Sequence, residues 1–131
     1  VTVVGRSLVI GKPVSMLLMK RNATVTVCHT KTVDMAGTCK NAEILVAAAG
    51  SARMIKKEYV ADGAVVIDVG INVDDEGNLC GDVDFDAIVK YWRFCFERKR
   101  NVWIATRFHP CVSRMRSRAW QCMEVSIHMW N

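Results

Sequence analysis

Val3-Val4-Gly5-Arg6-Ser7-Leu8-Val9-Ile10-Gly11-Lys12-Pro13 is the stretch whose reading decides the fold. A short β-branched run enters Gly5, a polar pair follows, and a second glycine opens a helical pattern. Val14, Leu17 and Leu18 then fall at i, i+3 and i+4, one apolar face of a helix. Strand, glycine turn and helix together present free backbone N–H groups and a positive dipole end to a phosphate. Gly5 permits a sharp turn, and Gly11 is expected to let a pyrophosphate approach where a Cβ would clash. Pro13 suits the first helical turn, where its missing N–H costs nothing. The spacing G-x-S-x-x-x-G-x-P differs from the common G-x-G-x-x-G, so the pattern needs its context.

That context is a second strand, Ala23–Cys28, reached through a helix expected over Pro13–Arg21 and ending at Asn22. Two strands flanking one helix make a parallel βαβ unit with a right-handed crossover. The residues at the end of the second strand bear on the ligand. An acidic residue there would bond the ribose 2′-OH of NAD, but the strand ends in His29-Thr30-Lys31-Thr32, with no carboxylate before Asp34. Hydroxyls and a cation, with Arg6 across the turn, suit a 2′-phosphate and favour NADP. His29 reads as a strand-end packing residue rather than a ligand or base.

Further along, Val33–Asn41 is expected as a short helix started by Thr32 or Asp34. Glu43–Gly50 and Gly63–Asn72 read as strands, their near-continuous apolar runs being those of strands buried on both faces. Between them, Met54–Val60 is expected as a short helix with Lys56 and Lys57 on its solvated face. Asp68 stands where open α/β sheets bind ligands; it is either functional or the cap of the following loop. Asp74–Asn78 is an acidic, solvated turn, Leu79–Val83 a short strand, and Asp84 the cap of a helix starting at Phe85. Strands alternating with short helices up to Ile88 make most of a doubly wound sheet.

Composition divides the chain. Of its 131 residues 51% are hydrophobic and 24% charged, as in a soluble globular domain, and no apolar run approaches a membrane span. Residues 1–88 carry nine Lys/Arg against eleven Asp/Glu, net −2. Residues 89–131 carry nine against two, net +7, with all four Trp and no Gly, Leu or Asp. The six cysteines contain no C-x-x-C pair and read as reduced thiols of a cytoplasmic protein. Val1 stands already in a strand-like run, so the N-terminus reads as a cut through something longer.

Four blocks, Val3–Pro13, Asn22–Thr32, Ala64–Asn72 and Gly81–Phe85, resemble in order and spacing the C-terminal NAD(P)-binding domain of the bifunctional methylenetetrahydrofolate dehydrogenase/methenyltetrahydrofolate cyclohydrolase family. The resemblance implies an α/β fold, a Rossmann-like doubly wound parallel sheet, here incomplete and followed by an atypical basic C-terminal tail. It implies NADP as cofactor, with Gly5, Arg6 and Ser7 on its phosphates, Thr30 on the 2′-phosphate and Ile71 as a backbone contact to the nicotinamide side. The implied reaction is oxidation of 5,10-methylenetetrahydrofolate by NADP⁺, then hydrolysis of the methenyl product to 10-formyltetrahydrofolate. The family's catalytic lysine and tyrosine belong to an N-terminal folate domain, so no catalytic residue is carried over; Lys12, Lys56 and Tyr59 lie outside the matching motif. The intact family is expected to be a cytoplasmic homodimer, and this chain a catalytically inactive NADP-binding fragment.

After Ile88 the family continues into a glycine- and proline-rich stretch, whereas this chain reads Tyr91-Trp92-Arg93-Phe94-Cys95-Phe96. Domain 1–88 is therefore expected to be followed by a tail, 89–131, that is non-native or out of frame and patterned as neither helix nor strand. One alternative is a nucleic-acid-binding arm carrying Arg98-Lys99-Arg100 and Arg114, Arg116 and Arg118. Another is a metal site of Cys95, His109, Cys111, Cys122 and His128, whose spacings fit no common zinc pattern. No metal is expected.

Overall fold

The computed structural model describes residues 1–88, and beyond them the course of two strands, Phe94–Lys99 and Val102–Ala105. The first strand, β1 (Thr2–Val4), feeds α1 (Gly11–Lys20); β2 (Thr26–Cys28) and α2 (Met35–Lys40) follow. Then come β3 (Ile44–Ala47), a 3₁₀ turn at Lys57–Tyr59, β4 (Val65–Asp68), β5 (Asn72–Val73), β6 (Leu79–Cys80) and α3 (Phe85–Ile88). The two further strands are β7 (Phe94–Lys99) and β8 (Val102–Ala105). The main sheet has the order β2-β1-β3-β4-β7-β8, parallel throughout except at β7–β8. The fold is thus the doubly wound α/β sheet that the alternation of elements predicts.

Two apolar layers flank this sheet because side chains alternate across a strand. Val3, Ile44, Val46, Val65 and Ile67 face one way and pack with Val14 and Leu18 of α1. Val4, Leu45, Ala47 and Val66 face the other way, toward Cys39 of α2, Ile55, Val60 and Ile88. All four residues of β3 and all four of β4 are buried, as strands covered on both faces must be. Cys28 and Cys39 are free thiols in the second layer. Burial, with the neighbouring Cys28, pushes the Cys39 thiol up to about 12, so it stays protonated and packs as a small apolar group.

Helix α1 begins two residues before the expected Pro13. The Ser7 hydroxyl accepts the N–H of Ile10 (3.1 Å) and of Gly11 (3.3 Å), satisfying donors that would otherwise be orphaned at the first turn. Its other end closes at Asn22, in the left-handed region at φ 62°, where the N–H of Asn22 reaches the Met19 carbonyl and that of Ala23 the Leu18 carbonyl. Strand β2 is shorter than the predicted Ala23–Cys28, since β1 offers only Thr2–Val4 for pairing.

Three expectations fail for reasons of tertiary pairing. Met54–Val60 is not a helix. Ile55, fully buried, forms a parallel bridge to Val83, giving its N–H to the Asp82 carbonyl and taking that of Asp84. Those lateral bonds leave room for only one 3₁₀ turn at Lys57–Tyr59. The tail, expected to have no strand, supplies β7 alongside β4, with Val65 opposite Phe94 and Asp68 opposite Glu97. The ladder uses backbone groups, which composition does not report. Gly63–Asn72 also divides: β4 ends at Asp68, and Asn72–Val73 pairs antiparallel with Leu79–Cys80. The acidic turn between β5 and β6 is more than solvated, because Asp74 accepts the N–H groups of Glu76 and Asn78 and pairs with Arg53 at 3.2 Å.

The left-handed Asn22 yields a stability prediction. Asn22→Gly removes a Cβ from an exposed helix C-terminus and should raise the unfolding free energy by about 0.5–1 kcal/mol. Urea denaturation of the two chains measures it, and a lower midpoint for the glycine variant would contradict this cap.

Candidate dinucleotide-binding site

The ladder registers bring four strand ends abreast. Val4 pairs with Cys28 on one side and Ala47 on the other, and Ala47 pairs with Asp68. The segments that follow them, His29–Thr32, Gly5–Ile10, Ala48–Ser51 and Val69–Asn72, therefore leave one edge of the sheet side by side. At the common interstrand spacing they span roughly 14 Å. Strand β1 lies between β2 and β3, so the chain reverses direction across the sheet there. Ligands of open α/β sheets lie in the crevice at such a reversal.

Gly5 closes that crevice at its base. Its φ is +127°, and a Cβ built on it would collide with the Ala48 carbonyl oxygen. Its own N–H reaches the Cys28 carbonyl at 2.9 Å. Gly11 has a different role from the one expected: the space its Cβ would fill is taken by the Gly5 carbonyl. The second glycine therefore serves the packing of loop on helix.

Arg6 and Ser7 are exposed on the same loop, and Arg6 has no ion-pair partner among the described residues. Both lone pairs of the Ser7 hydroxyl are engaged by the Ile10 and Gly11 N–H groups, which leaves its one proton to point elsewhere as a donor. Thr30 is exposed on the neighbouring β2 loop. That loop is held by the His29 N–H to the Thr32 hydroxyl (2.9 Å) and the Lys31 N–H to His29 Nδ1 (3.1 Å). His29 is thus a turn-forming residue. Ile71, 56% exposed, stands apart from these four, two strands away beyond β4.

Asp68, left open between ligand and cap, is 2% exposed and turned inward. It accepts the N–H groups of Gly70 (2.9 Å), Asp82 (3.1 Å) and Val83 (3.0 Å), so it holds the loops after β4 and β6 together. Asp82, which the sequence does not single out, has no exposed surface. It takes the N–H groups of Ala49 (2.6 Å), Gly50 (3.1 Å) and Ser51 (2.9 Å) and the Asn72 side-chain amide (2.8 Å). Only the Gly81-Asp82-Val83 turn hinted at it. The proposed metal residues His109, Cys111, Cys122 and His128, the side chain of Cys95, and the basic groups of the tail lie outside the described side chains. Among the described residues no His/Cys/Asp/Glu group could hold a metal, and no helix is long and apolar enough to cross a membrane.

A parallel sheet whose first strand runs through a glycine turn into a helix, with exposed polar groups at the β1/β3 reversal, defines a dinucleotide-binding α/β domain. Residues 1–97 match the model of the tetrahydrofolate dehydrogenase/cyclohydrolase NAD(P)-binding domain, and the chain belongs to that family. It is 62% identical over 89 residues to the bifunctional protein FolD of Clostridioides difficile, a match covering 68% of this chain and 31% of that protein. Among solved structures, the bifunctional 5,10-methylenetetrahydrofolate dehydrogenase/cyclohydrolase of Thermoplasma acidophilum superposes with TM-score 0.68 at 41% identity, over 72% of this chain and 34% of that one. The Trypanosoma brucei dehydrogenase-cyclohydrolase, complexed with NADP cofactor and inhibitor, gives TM-score 0.64 at 38% identity, over 72% and 34%. The chain thus spans about a third of the length of these relatives.

The buried Asp68 carries a pH dependence. Burial raises its pKa from 3.8 to about 6, against the lowering effect of its three N–H donors. Between those values the folded chain keeps a proton that the unfolded chain has lost. Its contribution is therefore full below pH 3.8 and is lost as pH rises through about 6. Urea denaturation of wild type and Asp68→Asn from pH 4 to 7 should show the difference between them changing against wild type, by on the order of 3 kcal/mol. A pH-independent difference would assign the titration to other groups.

Proposed function

We propose that this chain supplies the NADP-binding domain of a cytoplasmic, homodimeric enzyme of one-carbon metabolism. The whole enzyme oxidises 5,10-methylenetetrahydrofolate to the methenyl compound and hydrolyses that to 10-formyltetrahydrofolate. The observation that carries the NADP reading is the pairing of an exposed Arg6, without an ion-pair partner among the described residues, with a β2 end that has no carboxylate before Asp34. A 2′-phosphate needs a planar cationic fork and added donors, and a carboxylate at that place would repel it. The activities for which the relatives are named, and NADP in the trypanosomal complex, support the same reading.

In this assignment Gly5, Arg6 and Ser7 receive the phosphates, Gly5 by close backbone approach and Ser7 through its one free O–H. Arg6 and Thr30 together bind the 2′-phosphate. Ile71 offers backbone groups to the nicotinamide side. NADP supplies the hydride acceptor; the chain binds and orients it. The groups that act on the folate are assigned to the remaining two thirds of the whole protein, and none to this chain, which alone binds cofactor without turnover. Cofactor recognition is assigned to residues 1–88, and the basic tail 89–131 is given no part in it.

Isothermal titration of NADP and NAD into the wild-type and Arg6→Ala chains tests this. The variant should lose about tenfold or more in NADP affinity and little in NAD affinity, since the guanidinium is assigned to the group that distinguishes them. Equal loss for both cofactors would remove Arg6 from the 2′-phosphate.

A further inference from the structure

We infer that Asp82 is a positioning residue for the nicotinamide half of the cofactor; this rests on the dinucleotide reading above. Ala49, Gly50 and Ser51 turn three successive N–H groups toward one point, with Gly50 at φ +67°. Successive N–H groups in such a turn form a concavity that attracts anions. In this fold the concavity is filled from within by the Asp82 carboxylate. The loop after β3 consequently faces inward and has no anion site left to offer a ligand.

The same carboxylate reaches the next loop. Its Oδ1 takes both the Ser51 N–H and the Asn72 side-chain amide, so one atom links the end of β3 with the residue after Ile71. Asp68 anchors Asp82 in turn, accepting its backbone N–H as well as that of Gly70, on the other side of Ile71. Ile71 is 56% exposed, yet both its neighbours are tied to this carboxylate pair. Its backbone is thereby set at a fixed distance from Ala48, the residue against which Gly5 packs. Asp82 touches no cofactor. It sets the width of the crevice on the side away from the β2 loop and the 2′-phosphate.

The test separates the two halves of the ligand. NADP and adenosine 2′,5′-bisphosphate, which lacks the nicotinamide half, are titrated into the full chain and into two variants. Asp82→Asn keeps the volume but cannot accept from all four donors. Asn72→Ala leaves the three N–H groups satisfied and cuts only the link to the Ile71 loop, so it remains informative should the first variant fail to fold. Both should lose about tenfold in NADP affinity while the bisphosphate stays within about twofold. A purely structural role would weaken both ligands alike or neither, and either result in Asn72→Ala overturns the inference. Equal wild-type affinity for the two ligands also overturns it, because the nicotinamide half would then make no contact to position. Failure of wild type to bind either ligand overturns the cofactor reading itself, and this inference with it.

Discussion

The parallel ladder that holds Cys28, Val4, Ala47 and Asp68 abreast is the constraint on which the rest depends. Each of these residues is the last of its strand, and each is buried. A slip of one residue in any pairing would exchange the two faces of that strand. It would also move one loop by a pleat relative to its neighbours, and the crevice at the β1/β3 reversal would lose a wall. The two apolar layers on either side of β3 and β4 therefore do more than stabilise the sheet. They align the loops that make the site.

Charge in the crevice is sorted by burial. The carboxylates nearest the strand ends, Asp68 and Asp82, are turned inward, and their oxygens are occupied by backbone N–H groups. The cation of the loop after β1, Arg6, is exposed. The exposed polar groups of the loops after β1 and β2 thus include a guanidinium and hydroxyls, while the acidic groups are screened behind backbone donors. Leaving either buried carboxylate without its N–H partners would be costly, which is why both loops are committed to them.

The sheet and its site were legible from the sequence to different extents. β-branched runs, two glycines and the apolar i, i+3, i+4 pattern located β1, α1, β3 and β4, because local sterics and side-chain alternation act over a few residues. The loop Gly5–Ser7 and the carboxylate-free β2 end could be read for the same reason. Ile55 could not: its stretch has helical spacing, but its backbone is claimed by Asp82 and Asp84, more than twenty-five residues ahead. Strand β7 escaped notice likewise, since an apolar edge of β4 recruits backbone whatever its side-chain composition.

What the sequence by itself determined was the order of elements and the chemical character of the loops after β1 and β2. Both follow from residue types acting on their near neighbours. Tertiary structure alone decided the duties of the acidic residues. Asp68 could have been a ligand or a cap, and Asp82 carried only the signal of lying beside a glycine. Their partners are residues 70, 83, 49–51 and 72, and only packing of the finished sheet brings those N–H groups to a carboxylate with no access to water. Gly11, whose missing Cβ makes room for the Gly5 carbonyl, was decided in the same way, by an approach between backbones that no local pattern specifies.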